Sequence, residues 1–170
     1  GIDLLINDIN SLREEGARIK LDVFGPRDGS EEYCWSSSVK YRGVIQSGEV
    51  QSIMSEYDFL VLPSRYDGWG VVVNEALLAG IPVICSDKVG ASSLVKKWGC
   101  GVCYESANDS ALKECLLKIY RNKKSIIGNY KDSVVKVCHV ISPKYGARYI
   151  DDCVKARYGN GLDVGNSWYN

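Results

Sequence analysis

Two acidic residues flank a glycine-rich segment in the middle of the chain. Asp67 precedes Gly68-Trp69-Gly70, and Glu75 follows within the next predicted helix. Glycines allow a backbone to approach a ligand closely, and a helix that begins after such a loop directs free N–H groups at it. Phosphate is the expected occupant. Carboxylates suit hydroxyl groups instead, so a nucleotide-sugar, with phosphates between two hydroxyl-bearing ends, accounts for the whole pattern.

Composition describes an ordinary globular domain. The chain has 170 residues, of which 45% are hydrophobic and 25% charged, and its formal net charge is zero. Zero net charge gives no general attraction to nucleic acid or anionic membranes. We find neither an apolar run of membrane-spanning length nor a signal peptide, and we expect a cytoplasmic protein. Seven cysteines, an odd number, predict buried reduced thiols, and we interpret Cys100-x-x-Cys103 as core packing rather than a metal or redox motif.

Strand-like segments alternate with helix-like segments along the chain, which predicts an α/β fold with a Rossmann-like parallel sheet and helices on both faces. The fully apolar segment 58–63 is typical of a strand deep in such a sheet. The segment from about Val72 to Ala79 is predicted as a buried helix, although its valines favour strand. Further strands are predicted at 19–23, 39–43, 82–86 and 101–105. Further helices are predicted from the cap Asp3 to an end at Gly16, at 47–54, from 108, at 130–137 and at 142–158, with the other caps at Ser47, Asn108 and Ser142.

The region around the two acids resembles the nucleotide-sugar signature of glycosyltransferase family 4. The matching residues are Pro63, Ser64, Asp67, Gly68, Trp69, Gly70, Glu75, Ala76, Ala79, Gly80, Ile81, Pro82, Val83, Ile84 and Ser86. Members of that family have the GT-B fold, which consists of two facing Rossmann-like domains. A looser resemblance from Gly1 to about Val154 implies the C-terminal, donor-binding domain. We therefore predict a nucleotide-sugar-binding domain at 1–158, truncated at its N-terminal strand, and a tail at 159–170.

The resemblance implies a role for each matching position. Asp67 is expected near the hydroxyls of the transferred sugar and Glu75 on the ribose hydroxyls, and these two acids are the catalytic candidates. Trp69 stands where the family commonly has Phe, and its side chain could either shape the sugar pocket or pack in the core. Backbone groups are expected to bind sugar, phosphate and base at Gly68, Trp69, Gly70, Val71, Arg42, Gly43 and Val44.

The resemblance also implies the reaction. Family members transfer a sugar from a nucleotide-diphospho-sugar with retention of anomeric configuration, generally without a metal or other cofactor. UDP-sugars are the first expectation and GDP-sugars the second. The expected acceptor is a glycan or lipid-linked molecule bound by an N-terminal domain, and nucleic acid is not an expected partner. The expected context is bacterial surface polysaccharide, such as O-antigen or capsule.

Three departures from the family pattern qualify this expectation. The first acid, Asp67, is one methylene shorter than the commoner Glu, and Leu94 stands where the family often has Glu. The family's phosphate-binding Arg and Lys and its acceptor domain would lie before Gly1, so we expect this chain alone to be inactive. The alternatives are a non-catalytic nucleotide-binding or interaction module and, less compatible with a phosphate site, a glycosidase that uses the two acids.

Overall fold

A computed structural model describes residues 1–26 and 33–158. Parallel strands alternate with helices, which confirms the predicted α/β class. The strands are β1 (Leu21–Phe24), β2 (Val39–Gly43), β3 (Leu60–Leu62), β4 (Val83–Ser86) and β5 (Gly101–Tyr104). The helices are α1 (Ile2–Glu14), α2 (Val50–Met54), α3 (Val71–Leu78), α4 (Ser92–Trp98), α5 (Ala111–Arg121), α6 (Lys123–Ile141) and α7 (Pro143–Tyr158). Among these helices, none combines the length and the apolar character needed to cross a membrane.

The strands form two parallel sheets rather than one. Strands β1 and β2 pair with each other, while β4 lies between β3 and β5. Strand β3 is therefore an edge strand in the described residues, and its three residues are only half-buried. The prediction that 58–63 lies deep inside a sheet is wrong, because an apolar run alone does not specify whether a strand is central or at an edge. The central strand is β4, whose residues are all buried.

The core consists of two apolar clusters, one on each side of β4. Val83 and Cys85 pack into a cluster that includes buried residues of α3, α4 and α6. Ile84 points the other way, into a cluster with buried residues of α1, α5 and β2. Because side chains alternate along a strand, this division confirms that helices cover both faces of the sheet.

Three predicted helix caps are wrong. Asp3 lies in the first turn of α1 and bonds the side chain of Arg65 rather than capping the helix. Ser47 lies ahead of α2 without capping it. Asn108 Oδ1 accepts a hydrogen bond from the N–H of Ser110 at 3.1 Å, in a turn before α5 begins. In each case a cap-type residue near a helix start makes a different local or tertiary contact.

The C-terminal helices extend the predicted pattern. Ser142 caps α7 as predicted, because its Oγ accepts a hydrogen bond from the N–H of Tyr145 at 3.3 Å. Helix α6 is longer than the predicted 130–137, and α4 had no counterpart in the sequence-based assignment. Segment 27–32 of the predicted turn region and the predicted tail 159–170 lie outside the described residues.

None of the seven cysteines forms a disulfide, which confirms the prediction of reduced thiols, but the prediction that they are buried is wrong for Cys34, which is exposed. Cys85 and Cys103 occupy paired positions on β4 and β5, with their sulfur atoms 3.6 Å apart. Burial raises the pKa of the Cys100 thiol to about 11, which keeps it protonated and unreactive near neutral pH. The predicted core-packing role of the Cys100-x-x-Cys103 segment is confirmed.

Candidate functional site

The loop that carries Asp67 is held by backbone hydrogen bonds to the loop that follows β4. The N–H of Asp67 donates to the carbonyl of Lys88 at 3.1 Å, and the N–H of Gly90 donates to the carbonyl of Asp67 at 3.0 Å. The N–H of Ala91 donates to the carbonyl of Trp69 at 2.7 Å. Because β3 and β4 are parallel, these loops meet at the edge of the sheet where the strands end. Ligands of parallel sheets bind at that edge.

Two glycines allow the loops to approach each other this closely. Gly70 has φ of +80°, and a Cβ there would lie 2.7 Å from Val89 Cγ1 and 3.0 Å from Leu62 Cδ2. A Cβ on Gly90 would lie 2.2 Å from the carbonyl oxygen of Gly68. The absent side chain of Gly70 therefore serves the packing of the protein itself, in addition to any ligand contact expected of its N–H.

Asp67 and Gly68 have a different environment from Gly70. One carboxylate oxygen of Asp67, Oδ1, accepts a hydrogen bond from the N–H of Trp69 at 3.1 Å, which closes a local turn. Gly68 is exposed, and a Cβ there would have no neighbour within 4 Å. Val71, the first residue of α3, is also exposed. This side of the loop is open to a ligand, and one oxygen of Asp67 remains available for it.

Glu75 lies in the second turn of α3, between Asn74 and the buried Ala76. Its side chain is half-buried, and its carboxylate has no hydrogen-bond or ion-pair partner within residues 1–26 and 33–158. A carboxylate without a protein partner keeps its full capacity to accept hydrogen bonds. Ligand hydroxyls could therefore donate hydrogen bonds to Glu75.

The indole of Trp69 contacts the protein rather than projecting into open space. Its Nε1–H donates to Asn74 Oδ1 at 3.2 Å, and its ring packs against the cluster around Val83 and Cys85. Of the two roles left open for this side chain, core packing is the one observed. Sequence reasoning had not singled out Asn74, although a polar residue directly after three valines in a predicted buried helix is a signal that could have found it.

Arg65 is paired with Asp3 at the start of α1. Its Nη1 and Nη2 atoms lie 3.0 and 2.6 Å from the two oxygens of Asp3. The hydrogen bond from Arg65 holds the pKa of the Asp3 carboxyl well below its usual range. A guanidinium engaged at two points by a carboxylate is not free to bind a diphosphate unless this pair opens.

Arg42 and Gly43 end β2 in the two-stranded sheet, and Val44 follows that strand. No hydrogen bond joins this segment to the Asp67 loop in the described residues. Arg42 Nε lies 3.1 Å from Asp22 Oδ2, which also accepts a hydrogen bond from Tyr57 Oη at 2.8 Å. Burial, together with this hydrogen bond, raises the pKa of Tyr57 to about 12. The arginine side chain therefore has a structural partner, and the expected backbone contact of this segment to a base stays a prediction.

A buried serine links two segments of the candidate site. The sequence-based interpretation gave it no individual role. Ser86, at the end of β4, donates its hydroxyl to the carbonyl of Ser64 at 2.6 Å. The same Oγ accepts a hydrogen bond from the N–H of Lys88 at 3.2 Å. Ser86 thereby connects the segment before Asp67 to the loop after β4.

Metal binding has no obvious place in the described part of the chain. There, no three or more His, Cys, Asp or Glu side chains lie together as possible metal ligands. The expectation of metal-independent chemistry stays a prediction.

Comparison with known proteins agrees with this geometry. Residues 1–131 match the family described as Glycosyl transferases group 1. An uncharacterized glycosyltransferase of Methanocaldococcus jannaschii is 29% identical over 103 residues, which are 56% of this chain and 26% of that protein. TuaC of Bacillus subtilis, whose name assigns it to teichuronic acid biosynthesis, is 42% identical over 55 residues, which are 32% of this chain and 14% of that protein.

The fold has a counterpart among solved structures. WaaG, a glycosyltransferase involved in lipopolysaccharide biosynthesis, superposes with a TM-score of 0.68 and 21% identity over 95% of this chain and 44% of that chain. The family match covers most of the chain, and the chain therefore belongs to the glycosyl transferases group 1 family. It covers less than half the length of each of these three proteins.

Proposed function

We propose that this chain is the donor-binding domain of a glycosyltransferase that uses a nucleotide-diphospho-sugar. The observation that carries the proposal is the half-buried, unpartnered carboxylate of Glu75, one helical turn beyond a rigidly held glycine loop. In this proposal Glu75 accepts hydrogen bonds from the ribose, and Asp67 accepts them from the transferred sugar. The diphosphate lies against the N-terminus of α3, where the helix dipole and free N–H groups favour negative charge.

The finer chemistry rests on the resemblance to family 4. We expect retention of configuration, no metal requirement, and a UDP-sugar donor before a GDP-sugar. Charge that develops on the leaving diphosphate would be stabilised by the N-terminus of α3 and by basic side chains, because the N–H of Trp69 already donates to Asp67 Oδ1. Base contacts are assigned to the backbone of Arg42, Gly43 and Val44. The chain alone is expected to bind a donor without transferring its sugar.

The proposed biological context is polysaccharide biosynthesis. The name of TuaC supports this context by sequence similarity, whereas the likeness to WaaG concerns the fold. The acceptor would be a glycan or a lipid-linked molecule, bound by a part of the protein outside this chain. A cytoplasmic location, with membrane contact through that other part, fits a reaction that consumes nucleotide-sugars.

The second candidate is a domain that binds nucleotide without transferring sugar. The pairing of Arg65 with Asp3 favours it, because the arginine two residues before Asp67 already engages a carboxylate. Measuring product formation with the full-length protein distinguishes the two candidate functions. Binding without any turnover of UDP-, GDP- or ADP-sugars would support the second candidate.

The first experiment is a calorimetric titration of UDP, GDP, ADP and their sugar forms. We expect one base to bind selectively and Glu75→Ala to weaken that binding by about tenfold or more, equivalent to about 1.4 kcal/mol. Glu14→Ala is the matched control, because Glu14 is an exposed helical glutamate of α1. Failure of every ligand to bind both the 170-residue chain and the full-length protein would overturn the proposal.

A further inference from the structure

The two acids of the candidate site lie on different segments, and two of the three residues that connect these segments are glycines. Asp67 belongs to the loop and Glu75 to α3, and the intervening residues before the helix are Gly68, Trp69 and Gly70. Glycine restricts its backbone least of all residues. The relative placement of the two carboxylates therefore depends on contacts that hold this connection, rather than on the connection itself.

Trp69 supplies three such contacts in three directions. Its N–H donates to Asp67 Oδ1 at 3.1 Å, and its carbonyl accepts from Ala91 at 2.7 Å. Its indole Nε1–H donates to Asn74 Oδ1 at 3.2 Å. A single residue thus contacts the first acid, the loop after β4, and the helix that carries the second acid.

Asn74 is an unusual choice for this position in α3. Asparagine disfavours a helix interior relative to alanine, because its side chain competes for backbone hydrogen bonds. Here its oxygen accepts the indole proton instead. Asn74 directly precedes Glu75, so a bond that holds Asn74 also restrains the part of α3 from which the Glu75 side chain projects.

We propose that Asn74 is a positioning residue, which acts through the indole of Trp69 to set the Glu75 carboxylate against the Asp67 loop. This inference rests on the proposed donor site where it is tested by ligand affinity. The hydrogen bond between Trp69 and Asn74 can also be tested without a ligand. The pair would align both carboxylates before the donor arrives, so that binding does not have to order them.

A double-mutant cycle tests the pair. Trp69→Phe removes the indole donor, and Asn74→Leu removes the acceptor at similar size. Each variant should bind the nucleotide-sugar roughly fivefold more weakly, which corresponds to the loss of a hydrogen bond worth about 1 kcal/mol. The double variant should be no weaker than either single variant, because the second change has nothing left to remove. Additive losses, or a melting temperature that falls while affinity stays unchanged, would overturn the proposal.

The chain offers a matched control for Trp69→Phe. The indole Nε1 of Trp98, at the end of α4, is buried and has no hydrogen-bond partner in the described residues. Its ring packs against the same apolar cluster as Trp69. Trp98→Phe therefore makes the same chemical change without breaking a hydrogen bond, and we expect donor affinity within about twofold of wild type.

Hydrogen exchange separates failure of this inference from failure of the proposed function. In the absence of ligand, the indole proton and backbone amide of Trp69 should exchange roughly fivefold faster in Asn74→Leu than in wild type. Equal exchange in the two proteins would overturn the positioning role even where the donor binds. Faster exchange in a protein that binds no donor would support the hydrogen bond and refute the donor site.

Discussion

Asp3 and Arg65 form a bidentate ion pair that joins the start of α1 to the loop ahead of Asp67. A Cβ on Gly1 would lie 1.6 Å from the carbonyl oxygen of Pro63, so the two segments are in direct contact. Helix α1 therefore contacts the candidate site through Asp3, which was predicted from its sequence position to cap the helix.

The ion pair predicts an acid-dependent contribution to stability. Arg65 lowers the pKa of Asp3 from 3.8, and an acid with a lowered pKa stabilises the fold above its unfolded pKa. Both side chains are more than one third exposed, so solvent screening limits the contribution to less than about 1 kcal/mol. Asp3→Asn should lower the free energy of unfolding by that amount at pH 7, and the difference should vanish as the pH falls well below 3.8.

Urea unfolding at several pH values measures this difference. Asp132→Asn is the control, because Asp132 is an exposed acid of α6 without a hydrogen-bond or ion-pair partner in the described chain. Its stability should follow that of wild type at every pH. A destabilisation by Asp3→Asn that grows on acidification would contradict the sign derived from the ion pair.

Gly70→Ala should destabilise the protein by about 2–4 kcal/mol. The positive φ costs an alanine about 1 kcal/mol, and the forced contact with Val89 and Leu62 adds the cost of overpacking. Gly80→Ala provides the comparison, because Gly80 has φ of +83° and open space at its Cβ position. Denaturant unfolding should show a loss near 1 kcal/mol for Gly80→Ala. Equal losses would show that the packing of Gly70 contributes nothing.

Gly68→Ala should affect binding without affecting stability. A Cβ at Gly68 meets no protein atom within 4 Å, and its φ lies outside the left-handed region. The new methyl group would project where the donor is proposed to approach, and we expect about tenfold weaker binding, equivalent to about 1.4 kcal/mol. Gly48→Ala, also free of neighbours, should change neither quantity. Calorimetry with unchanged donor affinity for Gly68→Ala would count against a ligand at this loop.

The elements that sequence predicted best are those whose local pattern and tertiary environment agree. Strand β2 was predicted to the residue, and β4 and β5 within one. Strands β4 and β5 are short, largely apolar segments that end before turns. Helix α3 was predicted against its valines, and the Gly80 stop signal proved the better guide. Strand β3 shows the opposite case, since its edge position depends on which other strands pair with it.

The candidate site likewise combines features that a local sequence pattern reveals with features that depend on tertiary contacts. The glycines and the two acids are visible in sequence because their types and spacing are unusual. The partners of Asp3 and Trp69 are not visible, because Arg65 is distant in sequence from Asp3, and Asn74 is one of several polar residues near the loop. Side-chain hydrogen bonds depend on geometry that no local pattern encodes.

Ser86→Ala should destabilise the protein by about 1–3 kcal/mol, because it leaves the Ser64 carbonyl and the Lys88 N–H without their buried partner. Ser93→Ala is the matched control, since its exposed hydroxyl donates to a carbonyl at 3.2 Å. Water replaces that bond, and we expect a loss of about 0.5 kcal/mol or less.

The same serine connects stability to the site. Ser86 lies beneath both loops that meet at Asp67, so Ser86→Ala should also increase hydrogen exchange of the Asp67 and Gly90 amides, which bond across those loops. Exchange measured well below the unfolding transition distinguishes this local loosening from global unfolding. A variant that loses stability while both amides keep their wild-type protection relative to the rest of β4 would show that Ser86 contributes to the core alone and does not hold the loops together.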